Sequence, residues 1–204
     1  MKLSHSPASP YVRKVMVVLH ETGQLDDVEL VPTATTPIAP SAELIGKNPL
    51  GKIPALERDD GPTLFDSRVI CAFLDARANA GLCGSGARHW EIRTLEALGD
   101  GILDAALSLT YEARFRPEDK RVPDWMEGQW GKAARACAAL DRMWMSHLAG
   151  PFDAGQIAVA CALGYLDFRH AARDWRKDNP ALAEWYARIE SRPSLAATRP
   201  ADPR

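Results

Sequence analysis

The sequence predicts an α/β domain on a four-stranded mixed sheet, followed by an all-α C-terminal domain. Three observations carry this. Short β-like runs alternate with helical ones over residues 1–77, and no convincing strand follows Arg88. Gly81, Gly84 and Gly86 mark residues 78–87 as a linker, because clustered glycines interrupt regular structure. All six tryptophans fall in residues 88–204, which suits an aromatic core between helices.

Lys2 to His5 reads as a first strand. Ser9 then precedes Pro10, an N-cap followed by a proline in the first helical turn. Val12, Val15, Met16 and Leu19 recur at i, i+3, i+4 and i+7, and Gly23 is the stop. Val28 to Val31 alternates as a second strand. Pro32 to Pro40 is a Pro/Thr-rich loop, with at most one helical turn after it near Ser41 to Ile45. A turn at Pro49–Gly51 leads to a strand around Ala55–Glu57. Asp60-Gly61 turns the chain, and Thr63 to Phe65 returns it as a hairpin. Asp66-Ser67 then caps a helix carrying Val69, Ile70, Phe73 and Leu74. A βαβ unit followed by a hairpin and a helix gives the mixed sheet, with helices on both faces.

After the linker, helical patterns cover roughly 88–115, 124–147, 153–171 and 180–191. Pro117, Pro123, Gly150-Pro151 and Pro180 break them. Asp153 caps the third, with Gln156 at its third position. The run from Ile157 to Leu163 is apolar nearly all round, so this helix is expected to be the buried axis of its domain.

The chain has 204 residues, 46% of them hydrophobic and 25% charged, with a net charge of −2. This composition excludes disordered and collagen-like classes, and it shows no field suited to nucleic acid or an anionic membrane. The longest apolar run, Ile157 to Tyr165, is too short to span a bilayer. MKLSHSPASP has no apolar signal region, so the cytoplasm is the expected compartment. Cys71, Cys83, Cys137 and Cys161 have no CxxC spacing and are expected to stay thiols. His5, His20, His89, His147 and His170 form no ligand pattern, and no metal is expected.

Three segments carry a resemblance. Ser9-Pro10-Tyr11-Val12-Arg13-Lys14, Asn48-Pro49-Leu50-Gly51-Lys52-Ile53-Pro54-Ala55-Leu56 and Phe65-Asp66-Ser67 stand in this order, and together they resemble the cytosolic glutathione S-transferases. The first looks like the start of helix 1 in the serine-type classes, the second like the NPxGKxPxL segment, the third like the acidic-Ser pair. With Leu98 to Ala105 and Gly164 to Arg169, they are closest to a bacterial subgroup. The resemblance implies a thioredoxin-like N-terminal domain, glutathione as co-substrate, a homodimer, and a detoxifying transferase acting on a small electrophilic, hydrophobic substrate. A non-catalytic binding or regulatory relative, and a glutathione-dependent isomerase or dehalogenase, are the alternatives.

The chemistry asks for a thiolate donor. A thiol of pKa about 8.5 is only a few per cent ionised at neutral pH. A hydroxyl donating to the thiolate is worth about 1.5–3 kcal/mol, enough to bring the pKa to roughly 6.5–7.5. Ser9, at the positive end of its helix, is the expected catalytic residue; read from spacing alone it is a helix cap, and Ser6 and Ser4 are the substitutes. The resemblance places a cis peptide at Ile53-Pro54, where the Ile53 backbone pairs with the cysteinyl part of glutathione. It places Lys52 at the glycine carboxylate, Ser67 at the γ-glutamyl carboxylate and Asp66 at the ammonium. It sends Asp100 to the neighbouring subunit's glutathione. The electrophile pocket is expected from Leu107, Tyr111, Arg114 and Phe115, with Tyr11. Helix 1 carries no cysteine, which argues against a cysteine-type transferase or a glutaredoxin.

Overall fold

The structure, a computed structural model, describes residues 1–203. These fall into two compact units, one formed by Met1–Ser85 with the segment from Pro193 onward, the other by Gly86–Arg192.

The first unit runs β1 (Lys2–His5), α1 (Pro10–Glu21), β2 (Glu29–Pro32), α2 (Ala42–Lys47), β3 (Ala55–Arg58), β4 (Gly61–Phe65) and α3 (Ser67–Ala78). The sheet order is β2-β1-β3-β4. β1 pairs parallel to β2, with Leu3 opposite Leu30, and antiparallel to β3, with Leu3 opposite Leu56. β3 and β4 form the hairpin, with Leu56 opposite Leu64 and an irregularity between Leu56 and Arg58. Leu3, Ala55 and Leu56 are buried. The mixed sheet expected from the sequence is therefore present, with helix α1 as its crossover.

α1 departs from the one-faced helix that its spacing predicts. Every residue from Val12 to Leu19 is buried, Arg13 and Lys14 included. The reason lies at the other end of the chain. A short helix, α9 (Pro193–Ala197), packs against α1. The sequence reading places residues 193–204 with the helical domain; residues 193–203 belong to the first unit instead. The predicted linker is also pinned: both carboxylate oxygens of Asp75 accept backbone N–H groups, from Leu82 at 2.7 Å and Cys83 at 2.9 Å.

The second unit holds α4 (Gly86–Phe115), α5 (Pro123–Met143), α6 (Met145–Leu148), α7 (Ala154–His170) and α8 (Pro180–Ile189). The expected helix over 124–147 is thus two helices, divided at Trp144. α7 is buried from Ala154 to Leu166, as its apolar run predicts. Asp153 caps it, accepting from the Gln156 N–H at 3.0 Å. Gln156 does not reach back to the cap; its side chain donates to Pro151 O at 2.7 Å. The aromatic core is smaller than expected. Trp175 and Trp185 are buried, whereas Trp90 is 71% exposed and Trp125 is exposed too. Among the described residues, no helix is long and apolar enough to cross a membrane.

α4 and α7 touch backbone to backbone. A Cβ at Gly99 would lie 2.7 Å from the Ala158 carbonyl carbon, and one at Gly155 would lie 2.9 Å from Ile92 O. Gly101, one residue beyond Asp100, faces open space. Gly99 and Gly101 should therefore respond with opposite signs. Gly101→Ala should stabilise by about 0.5–1 kcal/mol through helix propensity. Gly99→Ala gains the same propensity but overpacks, at about 1–3 kcal/mol, and should destabilise on balance. Urea unfolding of the two variants checks this.

Candidate active site

The sheet brings the motif segments to one edge. β1 and β4 both run toward the end where β3 begins, since Leu3 faces Leu56 and Ala55 faces Phe65 in antiparallel register. The segment after β1 carries Ser9, the segment before β3 carries Lys52, Ile53 and Pro54, and the segment after β4 carries Asp66 and Ser67. Three stretches distant in sequence thus meet at one end of one sheet.

Ser9 is the N-cap of α1, half-buried, with an extended backbone. Its Oγ accepts the Val12 N–H at 3.3 Å, and its own N–H donates to Ser6 O at 3.1 Å. Accepting a cap bond uses a lone pair and not the hydroxyl proton, so the cap and a donor role are compatible. Ser4 is buried in β1 and Ser6 lies in the turn before the helix. His5 ends β1, and burial lowers its pKa, so it brings no imidazolium to this edge at neutral pH.

The Ile53–Pro54 peptide is cis, as the resemblance implied. The segment before it is held by two side chains that the sequence reading did not single out. The Asn48 amide donates to Lys52 O at 2.7 Å, and its oxygen accepts the Leu50 N–H at 3.0 Å. The Thr35 hydroxyl donates to Gly51 O at 2.9 Å, where the backbone turns through φ +63°. An Asn two residues before a turn amide is the signal that could have found Asn48. Lys52 itself is exposed.

Asp66 is the N-cap of α3, at φ +69°, a left-handed conformation that aspartate tolerates through its short polar side chain. Its carboxylate accepts the Arg68 N–H at 2.9 Å and pairs with the Arg68 guanidinium at 2.9 Å. The hydrogen bond from Arg68 holds its pKa below the usual carboxylate range, and Lys14 adds to this by charge. Lys14, on α1, is only 1% exposed, so its ammonium is a buried charge beside the α3 N-terminus. Ser67, first residue of α3, is buried. Arg68 and Lys14 were not expected here; Asp66 has a partner in the protein itself.

In the second unit, Leu107, Tyr111 and Phe115 occupy successive turns of α4, all half-buried. The Tyr111 and Phe115 rings lie 5.4 Å apart, and the exposed Arg114 stands 5.6 Å over Phe115. Burial pushes the Tyr111 hydroxyl pKa up, and the nearby Tyr165 adds to this. Tyr165 donates to Thr110 at 3.2 Å. Tyr11 lies half-buried on α1, in the first unit. Asp100 is 6% exposed, which leaves little of its carboxylate to offer a neighbouring subunit. Cys137 is buried in α5 with its thiol pKa pushed up to about 12, an inert group.

Comparison with known proteins agrees with this arrangement. Residues 8–77 match the family described as glutathione S-transferase, N-terminal domain, and residues 123–188 match glutathione S-transferase, C-terminal domain. The GST-like protein YibF of Escherichia coli K12, itself described as uncharacterized, is 34% identical, over 98% of both chains. A glutathione transferase family member from Pseudomonas fluorescens Pf-5, crystallised with bound glutathione, is 51% identical with a TM-score of 0.95, over 98% of both chains. A structure from the same organism with bound S-(propanoic acid)-glutathione is 49% identical with a TM-score of 0.91, covering 98% of this chain and 100% of that one. The sheet edge with its capped α1, cis-proline segment and capped α3, together with matches to both domains, establishes that this chain belongs to the glutathione S-transferase family.

Proposed function

We propose that this protein is a glutathione transferase in which Ser9 stabilises the thiolate of bound glutathione for attack on a small electrophile. The observation that carries this reading is the capped start of α1. The Ser9 Oγ accepts from Val12, its proton remains to donate, and the positive end of the helix lies behind it. The sulfur would lose its proton to solvent or to a base, and the thiolate would then form the carbon–sulfur bond. The serine proton stays on oxygen throughout.

Glutathione is held by its ends. The Ile53 backbone pairs with the cysteinyl unit beside Pro54, in the manner of a short added strand. Lys52 attracts the glycine carboxylate. Ser67 and the first N–H groups of α3 take the γ-glutamyl carboxylate, and Asp66, kept ionised by Arg68, faces the ammonium. Asp100, 6% exposed in this chain, would serve the glutathione of a neighbouring subunit. The electrophile is drawn to Leu107, Tyr111, Arg114 and Phe115 on α4. The likeness to the chain crystallised with S-(propanoic acid)-glutathione supports a small substrate that carries a carboxylate. The setting is the cytoplasm, where free thiols persist, and the role is removal of reactive electrophiles by a homodimer.

Titration calorimetry with reduced glutathione tests the binding reading. Heat should be observed with the wild type, and Lys52→Ala should weaken binding by about two- to fivefold, the scale of an exposed ion pair. Absence of heat at millimolar glutathione would sink it.

Ser9 can be tested separately from its cap. Ser9→Ala should raise the pKa of the bound thiol by about one to two units and also cost about 1 kcal/mol of stability. Ser9→Asp keeps a cap and lacks the hydroxyl at neutral pH, so it should hold stability while the thiol pKa still rises. Turnover lost near neutral pH should return partly in alkali. Thiolate absorbance titrations and thermal melts read the two effects.

Light scattering tests the assembly: the mass at micromolar protein should be twice the 22.4 kDa of one chain.

A further inference from the structure

The segment from Pro193 returns to α1 and holds it at three places. At the helix start, the Ala201 N–H donates to Pro7 O at 3.3 Å, inside the turn from Ser6 to Ser9. One turn in, Arg13 Nη2 donates to Leu195 O at 3.2 Å. At the far end, the Ser194 hydroxyl donates to Glu21 Oε1. Leu195 is wholly buried under this seam.

The middle point is chemically unusual. Leu195 O is among the last four carbonyls of α9, which no helical N–H satisfies, and that end of a helix favours a cation. Arg13 meets both needs at 5% exposure. Its Nε and Nη1 donate to no protein acceptor among the described residues. A guanidinium buried with so few acceptors carries a desolvation penalty that an apolar side chain of its length would avoid. Packing therefore does not account for an arginine here. Its backbone supplies the other half of the link. The Arg13 N–H donates to Ser9 O at 3.0 Å, next to the Val12 bond to Ser9 Oγ.

We propose that the segment from Pro193 is a positioning element for the Ser9 hydroxyl, coupled to it through Arg13 and the Ala201–Pro7 bond. The proposal rests on the reading of Ser9 as donor to the thiol. A hydrogen bond weakens steeply with angle and distance, so a small rotation of the Ser6–Ser9 turn spoils the donor while leaving the helix formed. Lys52, Ile53 and Ser67 do not depend on this seam, so affinity for glutathione and ionisation of its thiol separate.

Three full-length variants test it. Ala201→Pro deletes one N–H from an exposed residue. Arg13→Met removes the charge and keeps the stem, and Arg13→Lys restores a cation. Two readouts are taken, amide exchange along α1 and α3, and thiolate absorbance of bound glutathione against pH. Ala201→Pro and Arg13→Met should speed exchange at Val12 and Arg13 by about tenfold, with α3 unchanged. The bound thiol pKa should rise by about half a unit or more. The glutathione dissociation constant should stay within about threefold. Arg13→Lys should recover part of the pKa. Unchanged exchange in the variants would refute the coupling. Faster exchange with a wild-type thiol pKa, while Ser9→Ala raises it, would make the seam structural only and overturn the proposal. Ser9→Ala titrating like the wild type would instead overturn the reading of Ser9, and with it what the segment positions. Should Arg13→Met not fold, Ala201→Pro carries the same two readouts.

Discussion

The register of β1 is the constraint on which the candidate site depends. β1 lies between a parallel and an antiparallel neighbour, with Leu3 facing Leu30 on one side and Leu56 on the other. A slip of one residue would turn Leu3 out of the core and bring Lys2 or Ser4 into its place, so the buried Leu3 and Leu56 hold the register strongly. The same pairing decides which strand ends meet. Because β3 runs against both β1 and β4, the start of β3 sits where the other two stop. The cap of α1, the cis-proline segment and the cap of α3 follow from that single arrangement. The chemistry is brought together by topology before any polar contact forms.

The charges at that edge suit a ligand with both signs. The γ-glutamyl unit of glutathione carries a carboxylate and an ammonium on one carbon. A helix N-terminus alone would favour the carboxylate and repel the ammonium. Here Asp66 stands at the same N-terminus, kept ionised by Arg68 and by the buried Lys14. His5 adds no charge at neutral pH, since burial disfavours its protonation. On the proposed reading, stabilisation of a thiolate at Ser9 therefore falls to a hydroxyl and to backbone dipoles, which are fixed in place and need no reorganisation as charge develops.

The parts legible in the sequence are those whose signal is local. The Ser9-Pro10 cap and the Asp66 cap each announce themselves within a few residues, and their helices form where they were expected; the hairpin turn falls one residue early, at Asp59-Asp60, with Gly61 already in β4. The run from Ile157 to Leu163 is apolar on all sides, and α7 is buried on all sides. The parts that were not legible are long-range. Arg13 and Lys14 read as polar positions of an amphipathic helix, because a solvated face is the usual fate of such residues. Arg13 is bound by α9, whose five residues carry too little pattern to announce a partner 182 positions away in the sequence, and Lys14 lies near Asp66 at the start of α3. Trp90 and Trp125 misled in the opposite direction: composition shows where aromatic side chains lie along a chain, not which way they face. Thr35 was overlooked because it acts through one bond to a carbonyl and makes no pattern, whereas the two bonds of Asn48 to the backbone of its own turn had a local signal.

The glycine contact between α4 and α7 bears on how this chain diversifies. Gly99 and Gly155 allow two backbones to meet, and a backbone contact cannot be compensated by repacking side chains. At Gly99, α4 is therefore closed to growth in residue size. Beyond it, Leu107, Tyr111 and Phe115 are half-buried and Arg114 is exposed. One helix thus joins a position closed by a neighbouring backbone to a stretch of partly exposed side chains. On the proposed reading, substrate preference can shift along that stretch without touching the backbone contact.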